Sequence, residues 1–243
     1  MKQAVAFVRR LEQIDSQRAE IHLECPEIRP EPGQFVLADT GGYLLQALFP
    51  RQLQPAGFTF ETDLAAASRW QPGALLNLLG PAGRPHRPPE TARNLLLIHT
   101  IPGPLRLLPL ALDFRAGHRS VTLLFSDANA PIGGLPDEFE IVRGVAISWQ
   151  GQAQGGQAQG LPLREYLAWA DAVYADVPAG EREGLKQALA LARPLGSAAA
   201  WTLAAPPMPC GVGACGVCTV RTRSGWRHDC TDGPLFPLAQ LEV

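Results

Sequence analysis

The stretch Cys210-Gly-Val-Gly-Ala-Cys215-Gly-Val-Cys218, followed by Cys230, decides how this chain is interpreted. The gaps between the four cysteines are four, two and eleven residues. Four thiolates complete the coordination of a [2Fe–2S] cluster, and C-x4-C-x2-C with a distant fourth cysteine is the plant-type spacing for that cluster. The spacing therefore predicts a [2Fe–2S] centre held by these four residues, whose common chemistry is the transfer of single electrons.

The glycines of this stretch fit the same prediction. A loop that brings three sulfur atoms to one small inorganic core has to wrap tightly around it. Gly211, Gly213 and Gly216 supply backbone freedom and leave out side-chain bulk. The N–H groups of such a loop can point at the sulfur atoms and stabilise their negative charge, as oriented amides do in anion nests.

Two other readings of the cysteines remain open. Zinc also takes four thiolates, and the ligand set alone does not choose the metal. Zinc sites favour paired C-x2-C knuckles, however, and Cys210 and Cys215 are too widely spaced for one while Cys230 stands alone. Disulfides are disfavoured because residues 1–10 show no secretory signal, which predicts a reducing compartment. The fifth cysteine, Cys25, is interpreted as a small, half-buried apolar residue.

The overall composition is that of a soluble protein. Of the 243 residues, 46% are hydrophobic and 18% charged, and the net charge is −2. This balance gives no reason to expect nucleic acid or an anionic membrane as a partner. The most apolar stretch, residues 94–112, contains His99, Arg106 and three prolines, which argue against a lipid-facing helix. We therefore expect a cytoplasmic protein without a membrane span.

The chain divides into three parts by its sequence patterns. Residues 1–90 contain short strands separated by turn signals, which predict an antiparallel β-barrel. Residues 91–205 alternate strand and helix, which predicts a doubly wound parallel sheet of the α/β kind. Residues 206–243 are too few for their own apolar core, so a bound metal centre would supply the missing folding free energy. The glycine- and glutamine-rich residues 151–160 are predicted to form a flexible surface loop.

A family resemblance enters through the C-terminal motifs. The segment Met208-Pro-Cys-Gly-Val-Gly-Ala-Cys-Gly-Val-Cys-Thr-Val, with Cys230-Thr-Asp-Gly-Pro-Leu-Phe after it, resembles the electron-transfer subunit of NAD-linked dihydroorotate dehydrogenase, an enzyme of pyrimidine biosynthesis. That family has the ferredoxin-reductase architecture: a flavin-binding barrel, a nicotinamide-binding α/β domain and a [2Fe–2S] segment. The resemblance therefore implies a multi-domain α+β fold, FAD beside the cluster, and a flavoprotein dehydrogenase subunit or other redox protein as partner in a hetero-oligomer. It also implies that Asp232 helps to hold the cluster loop.

The flavin motif of the family is altered in this chain. The family has a barrel strand with Arg-Pro-x-Ser, whose arginine meets the flavin diphosphate. Here Phe49 stands where that arginine is expected and Gln52 where the serine is expected. Arg51 is displaced along the strand, and a shift of one place would turn it to the opposite face of the sheet.

The remaining cofactor motifs differ in how well they are kept. The turn formed by Gly80, Pro81 and Gly83 matches the Gly-Pro-x-Gly of the family and is the predicted FAD contact, although a plain barrel-edge turn explains it equally well. The glycine-rich nicotinamide loop is replaced by residues 99–104, in which one glycine lies between two prolines that lack N–H donors. Residues 175–178 replace a Cys-Gly-Pro element. We therefore do not expect NAD to bind.

The sequence supports three functional hypotheses. The first is an electron-transfer protein with a [2Fe–2S] cluster, and no residue is assigned a catalytic role. The second is a divergent relay that keeps the cluster without flavin or NAD. The third is a non-catalytic subunit in which the metal segment is a structural element. His99 is interpreted as structural, and Trp201 and Trp226 as packing residues beside the cluster segment.

Overall fold

The computed structural model describes most of the chain. The described residues are 1–67, 70–128, 130, 133–144, 163–193 and 199–242. The predicted surface loop at residues 151–160 lies outside them. Within the described ranges, no helix has both the length and the apolar character needed to cross a membrane.

The N-terminal part is one antiparallel sheet that curls into a nearly closed barrel. Its seven strands are β1 (Lys2–Gln13), β2 (Arg18–Glu24), β3 (Phe35–Ala38), β4 (Gln46–Leu48), β5 (Pro50–Gln54), β6 (Gly57–Asp63) and β7 (Leu75–Ala82), with the short helix α1 (Leu64–Ala67) before β7. Their order in the sheet is β4-β3-β7-β1-β2-β6-β5. Strands β4 and β5 follow each other in the chain yet form the two edges of the sheet, so Phe49 lies at the seam between them.

The barrel is held together by an apolar core of its own. Ile21 and Leu23 of β2 point inward and are buried, while His22 between them is only half-buried, as the period of two requires. The rings of Phe60 and Trp70 pack edge to face at 4.9 Å. Cys25 belongs to the same core and is fully buried, so the prediction of a half-buried residue was wrong.

The central part is a doubly wound parallel sheet, as predicted. Its elements are β8 (Asn94–His99), α2 (Leu108–Arg115), β9 (Ser120–Phe125), β10 (Glu140–Val142), α3 (Leu163–Trp169), β11 (Ala172–Asp176), α4 (Arg182–Ala192) and β12 (Ala199–Leu203). The parallel strands run in the order β10-β9-β8-β11-β12. The chain therefore winds outward from β8 in both directions, and the crevice between β8 and β11 is the switch point where such sheets bind ligands. Helix α2 has Pro109 in its first turn.

The C-terminal part packs against both other parts. A hairpin of β13 (Thr219–Thr222) and β14 (Gly225–His228) is followed by the short helix α5 (Asp229–Asp232) and by β15 (Leu235–Pro237). Strand β15 joins the edge of the central sheet antiparallel to β12. Cys218 and Cys230 pack against the barrel instead. The buried side chains of this part therefore belong to cores that it shares with its neighbours. The part boundaries at residues 90 and 205 stay a prediction.

Candidate iron–sulfur site and the neighbouring cleft

The loop that carries the first three cysteines depends on its glycines. Gly211, Gly213 and Gly216 have φ angles of 68°, 71° and 72°, in the left-handed region that other residues avoid. A Cβ atom at Gly211 would lie 2.3 Å from Cδ1 of Leu37 in β3. The loop therefore needs glycine there for two reasons: the backbone conformation and its close approach to the barrel.

The four predicted ligand residues come together as two pairs of thiols. The Sγ atoms of Cys218 and Cys230 are 3.3 Å apart, and the thiol of Cys215 is hydrogen-bonded to that of Cys210. The two pairs lie near each other, because both Cys210 and Cys218 act electrostatically on Cys230. Each iron of a [2Fe–2S] cluster takes two thiolates besides its bridging sulfides, so two neighbouring pairs are the arrangement that this cluster needs.

A site for a single ion is a different arrangement. In the described part of the chain, no group of three or more histidine, cysteine or acidic side chains converges on a point that one metal ion could occupy. The two thiol pairs do not require such convergence, because a binuclear cluster spreads its four ligands over two irons. The donor set thus fits a [2Fe–2S] cluster held by the four cysteines.

Backbone N–H groups favour the thiolate form on one side of the site. Burial alone would raise the pKa of Cys210, but hydrogen bonds from the backbone of Val212, Cys215 and Ala214 outweigh burial and bring the pKa down to about 6. Metal binding needs the thiolate, so this side is prepared for an iron at neutral pH.

The other side of the site is buried. Burial, and then a hydrogen bond from Cys218, raise the pKa of Cys230 to about 12. The N–H group of Gly213 donates to the Sγ atom of Cys230 at 3.2 Å and connects the loop to this deeper pair. Of the first three ligands only Cys215 is exposed, and Cys218 is fully buried because it packs against the barrel. The site is therefore open to solvent on the side of Cys210 and Cys215.

The segment around Cys230 is fastened to the end of the barrel. The N–H group of Gly83 donates to the carbonyl of Cys230 at 2.8 Å. A Cβ atom at Gly83 would lie 2.7 Å from Cδ of Pro234 and 2.8 Å from the carbonyl oxygen of Gly233. Asp232 accepts a hydrogen bond from the N–H group of His228 at 3.0 Å, at the base of the hairpin.

Asp232 also reaches the barrel side through Arg84, whose Nη2 atom donates to its carboxylate at 3.1 Å. The role of Asp232 in holding the cluster loop stays a prediction. The other predicted turn residue, Gly80, is occupied with barrel packing, since a Cβ atom there would lie 2.9 Å from Cγ1 of Val36. Gly80, Pro81 and Gly83 as contacts of FAD stay a prediction.

A cleft of about 440 Å³ opens between the barrel seam and the α/β part. Residues from the seam, from β6, from the loop after β8 and from the linker to the cluster line it, among them Phe49, Glu61, Arg106, Ala205 and Met208. Its size is that of a ligand pocket. Met208 is buried and packs in one apolar cluster with Cys218 and Cys230, so a single side chain separates the cleft from the iron–sulfur site.

Arg51, the displaced arginine of the flavin motif, turns away from this cleft. It is buried and forms ion pairs with Glu61 and, at 3.5 Å, with Glu20. It also donates a hydrogen bond to the carbonyl of Gly133 in the α/β part. Burial lowers its pKa in spite of the opposing effect of Glu20. Arg51 therefore connects the barrel to the α/β part through buried ion pairs and a hydrogen bond.

Glu61 is the central residue of this buried ion-pair network. Its carboxylate accepts hydrogen bonds from Arg18 at 3.1 Å and from the N–H group of Leu105 at 3.3 Å, in addition to the ion pair with Arg51. Among the described residues that line the cleft, Arg106 is the one cationic side chain. The cleft thus offers a single cationic side chain to a diphosphate group.

The crevice at the carboxyl ends of β8 and β11 is filled by ion pairs of the protein itself. Asp176 accepts two hydrogen bonds from Arg106, one of them at 2.9 Å, and lies 3.5 Å from Nδ1 of His99. Burial would raise the pKa of Asp176, but the hydrogen bonds from His99 and Arg106 outweigh it and lower the pKa. A smaller cavity of about 260 Å³ beside them is lined by Thr100, Pro102 and other residues of the altered loop.

Sequence reasoning missed most of this charge network. Glu61, Arg106 and Asp176 carry no local motif, and their partners lie ten or more residues away along the chain. The one signal was that Asp176 stands in the element that replaces Cys-Gly-Pro. His99 was interpreted as structural, and its contacts with Asp176 and the ring of Phe125 agree with that interpretation.

The C-terminal segment is similar to a known cluster-binding domain. Residues 206–242 match the profile of the family described as the iron–sulfur cluster binding domain of dihydroorotate dehydrogenase B. Two relatives, from Thermotoga petrophila and Thermotoga maritima, are named for the electron transfer subunit of dihydroorotate dehydrogenase B (NAD+). Each is 59% identical over 29 residues, which is 12% of this chain. The match spans only 13% of the length of these relatives.

Solved structures resemble the whole chain in fold. A chain of NADH-dependent reduced ferredoxin-NADP oxidoreductase superposes with a TM-score of 0.74 at 20% identity, over 98% of this chain and 90% of its own. Phthalate dioxygenase reductase superposes with a TM-score of 0.61 at 12% identity, over 99% and 96%. The ferredoxin reductase of carbazole 1,9a-dioxygenase gives 0.62 at 18% identity, over 82% and 68%. The chain therefore has the ferredoxin-reductase fold, and its residues 206–242 are similar to the iron–sulfur cluster binding domain of dihydroorotate dehydrogenase B.

Proposed function

We propose that this chain is an electron-transfer protein that moves single electrons through a [2Fe–2S] cluster. The observation that carries the proposal is the presence of two neighbouring thiol pairs, Cys210 with Cys215 and Cys218 with Cys230. The cluster supplies the redox chemistry when bound. The chain shields the cluster on one side and leaves it accessible on the other. The barrel covers Cys218 and Cys230, whereas Cys210 and Cys215 lie nearer the surface, where a partner can reach them.

The proposed partner is the flavoprotein subunit of a dehydrogenase, in a cytoplasmic hetero-oligomer. The match of residues 206–242 to the domain of dihydroorotate dehydrogenase B supports this choice, as do the two Thermotoga relatives. In this role the chain would relay electrons released by dihydroorotate oxidation toward NAD⁺. Since the sequence similarity covers the C-terminal segment alone, the substrate of the complex is the part of the proposal that most needs its own test.

FAD is the proposed second carrier, with its ring in the cleft. The cleft lies beside Phe49 and Arg106, whose guanidinium stacks over the Phe49 ring at 5.5 Å, and Met208 separates it from the cluster cysteines. The turn at Gly80, Pro81 and Gly83 would contribute from the barrel side. A flavin bound here would be held mainly by ring contacts, because Arg51 is engaged elsewhere.

The second candidate is a cluster-only relay on a reductase fold. Two observations favour it: Arg51 is buried in an ion pair with Glu61, and Asp176 with Arg106 fills the crevice where a nicotinamide nucleotide would enter. In this version the chain passes electrons between two protein partners and does not use NAD. The two candidates share the cluster and differ in flavin and in the response to NADH.

Anaerobic reduction of the purified protein tests the proposal. Sodium dithionite should bleach the visible absorption of the cluster, and readmitted ferricyanide should restore it over several cycles. Reduction of the cluster by NADH together with one released flavin per chain would select the flavin version. Reduction by dithionite alone, with no released flavin, would select the relay. A metal-containing segment that never changes its redox state would contradict both and would favour the structural role.

A further inference from the structure

The hairpin of β13 and β14 carries an unusual concentration of positive charge. Residues 219–228 contain Arg221, Arg223 and Arg227 and no acidic residue, whereas the whole chain has a net charge of −2. All three arginines are exposed. An exposed basic surface on an otherwise slightly acidic protein indicates a contact with a negatively charged partner rather than a general property of the chain.

An exposed aromatic residue lies in the middle of this charge. Trp226 is 68% exposed, so its interpretation as a packing residue was wrong. Arg221 lies over its ring at 6.0 Å and is held in turn by an ion pair with Glu242 at 2.5 Å. A tryptophan with arginines around it is the composition of the residues that dominate binding at protein interfaces.

The hairpin is held firmly although it projects from the fold. An isolated two-stranded hairpin is marginally stable in water. Here the N–H group of Arg223 donates to the carbonyl of Gln240 at 2.8 Å, and that of Glu242 donates to the carbonyl of Arg221 at 3.0 Å. The C-terminal residues thus brace the hairpin, and its side chains are presented in a fixed arrangement that lowers the entropic penalty of binding.

The base of the hairpin is the iron–sulfur site. Strand β13 begins directly after Cys218, and the N–H group of Asp229 donates to the carbonyl of Cys218 at 2.9 Å. Trp226 pairs with Arg221, two residues along the strand from the pair of Thr219 and His228. At the rise of a β-strand, this places Trp226 roughly 7 Å from the base. Val217 of the cluster loop is also exposed, and it extends the apolar area toward the cluster.

We infer that the face formed by Arg221, Arg223 and Trp226, here called the hairpin face, is the docking surface for an acidic one-electron carrier protein. The inference rests on the proposed function, since a one-electron carrier needs the cluster as its reaction partner. Charge complementarity selects an acidic protein, steers its approach and aligns it. The tryptophan supplies the short-range contact, and the nearness of the cluster explains why the surface lies here.

The test measures binding of an acidic plant-type ferredoxin to the full-length, cluster-loaded protein, by calorimetry at low and moderate salt. Basic cytochrome c serves as a one-electron protein of opposite charge. We expect ferredoxin to bind and its affinity to fall with salt. Trp226→Ala should weaken binding about tenfold or more. Arg223→Glu should slow association several-fold in stopped-flow measurements.

Arg164→Glu, an exposed arginine of α3 far along the chain from the hairpin, is the matched control and should leave binding unchanged. Cluster content is measured on every sample. A cluster-loaded protein that ignores ferredoxin, or whose hairpin variants bind like the wild type, would overturn the inference and leave the proposed function standing. Equal binding of cytochrome c, or competition by anionic lipid vesicles or duplex DNA, would also overturn it. A protein that holds no cluster would overturn both.

Discussion

The cysteine loop and the cleft beside the barrel seam are the two candidate cofactor sites of this fold. They differ in whether their side chains are available to a cofactor. In the loop, every element that a cluster needs is in place: two neighbouring thiol pairs, glycines with positive φ, and N–H groups that lower the pKa of Cys210 to about 6. At the cleft, charged lining residues are engaged with side chains behind it, as Glu61 is with Arg51 and Arg106 with Asp176.

The difference shows how each site responds to sequence change. A cluster is held by covalent ligands from four side chains, so the loss of one of them removes the site. A flavin or nucleotide is held by many weaker contacts, so its site can be altered residue by residue while the fold persists. Side chains released from a cofactor then need new partners, because a buried charge without a partner destabilises the protein.

The largest effect is expected in the loop itself. Cys218→Ser removes a buried ligand, and we expect nearly complete loss of iron and acid-labile sulfide together with a less stable C-terminal segment, because the metal supplies folding free energy there. Iron and sulfide analysis with the visible spectrum checks this. Cys25→Ala, which changes the buried cysteine of the barrel core, is the control and should keep the full cluster.

For the ion pairs beside the cleft we expect the opposite result, a loss of stability without a loss of the cluster. Arg51→Met should lower the free energy of unfolding by about 3 kcal/mol, since it leaves Glu61 buried without one of its partners, and should leave cluster content unchanged. Urea unfolding checks it, with Arg87→Met as the control: that arginine pairs with Glu31 on the surface, and its loss should amount to less than about 1 kcal/mol. Loss of bound flavin without loss of stability would instead mean that Arg51 holds the cofactor.

Gly83 lies where the end of the barrel contacts the cluster segment. Its replacement tests whether that contact matters. Gly83→Ala should destabilise the protein by about 2 kcal/mol, because a φ of 76° is strained for alanine and its Cβ would meet Pro234 and Gly233. Iron should also be released faster to a chelator. Gly73→Ala has a similar φ of 92° with open space around it. An identical result for both variants would show that packing against the cluster segment is unimportant.

The smallest expected effect concerns pH. Burial lowers the pKa of His86 to about 4, and its Nε2 atom is 2.8 Å from the hydroxyl of Tyr174. Because the unfolded chain binds a proton at an ordinary pKa and the folded one does so only near 4, stability falls as the pH drops through this window. The wild type should lose about 1 kcal/mol more than His86→Gln between pH 7 and pH 5. Parallel curves for the two proteins in urea unfolding at each pH would contradict this.

The order of the elements could be predicted from the sequence to a large extent. Strands such as β2 and β9 alternate apolar and polar residues in their own windows, and the cysteine spacing names its ligands directly. Strand β5 and the partners of Arg51 could not be found that way. Their ion pairs join β2, β5 and β6 across the barrel, and such long-range pairing leaves no period in the sequence.

The exposure of Trp226 was missed for a related reason. A tryptophan in a strand is usually buried by a neighbouring element, and composition alone does not reveal that the hairpin lacks one on that side. The burial of Cys218 was missed because the loop motif fixes which residues bind the cluster but not which side of it faces the barrel. Ligand identity is thus local information, and access to the ligand is a property of the assembled fold.

One measurement tests the central claim most directly: iron, acid-labile sulfide, zinc and released flavin, quantified on one sample of anaerobically purified protein, with an electron paramagnetic resonance spectrum after reduction. The account predicts two irons and two sulfides per chain and the signal of a reduced [2Fe–2S] cluster. Flavin in the same sample decides between the two candidate functions. Zinc bound by the four cysteines, without sulfide and without a signal after reduction, would contradict the account.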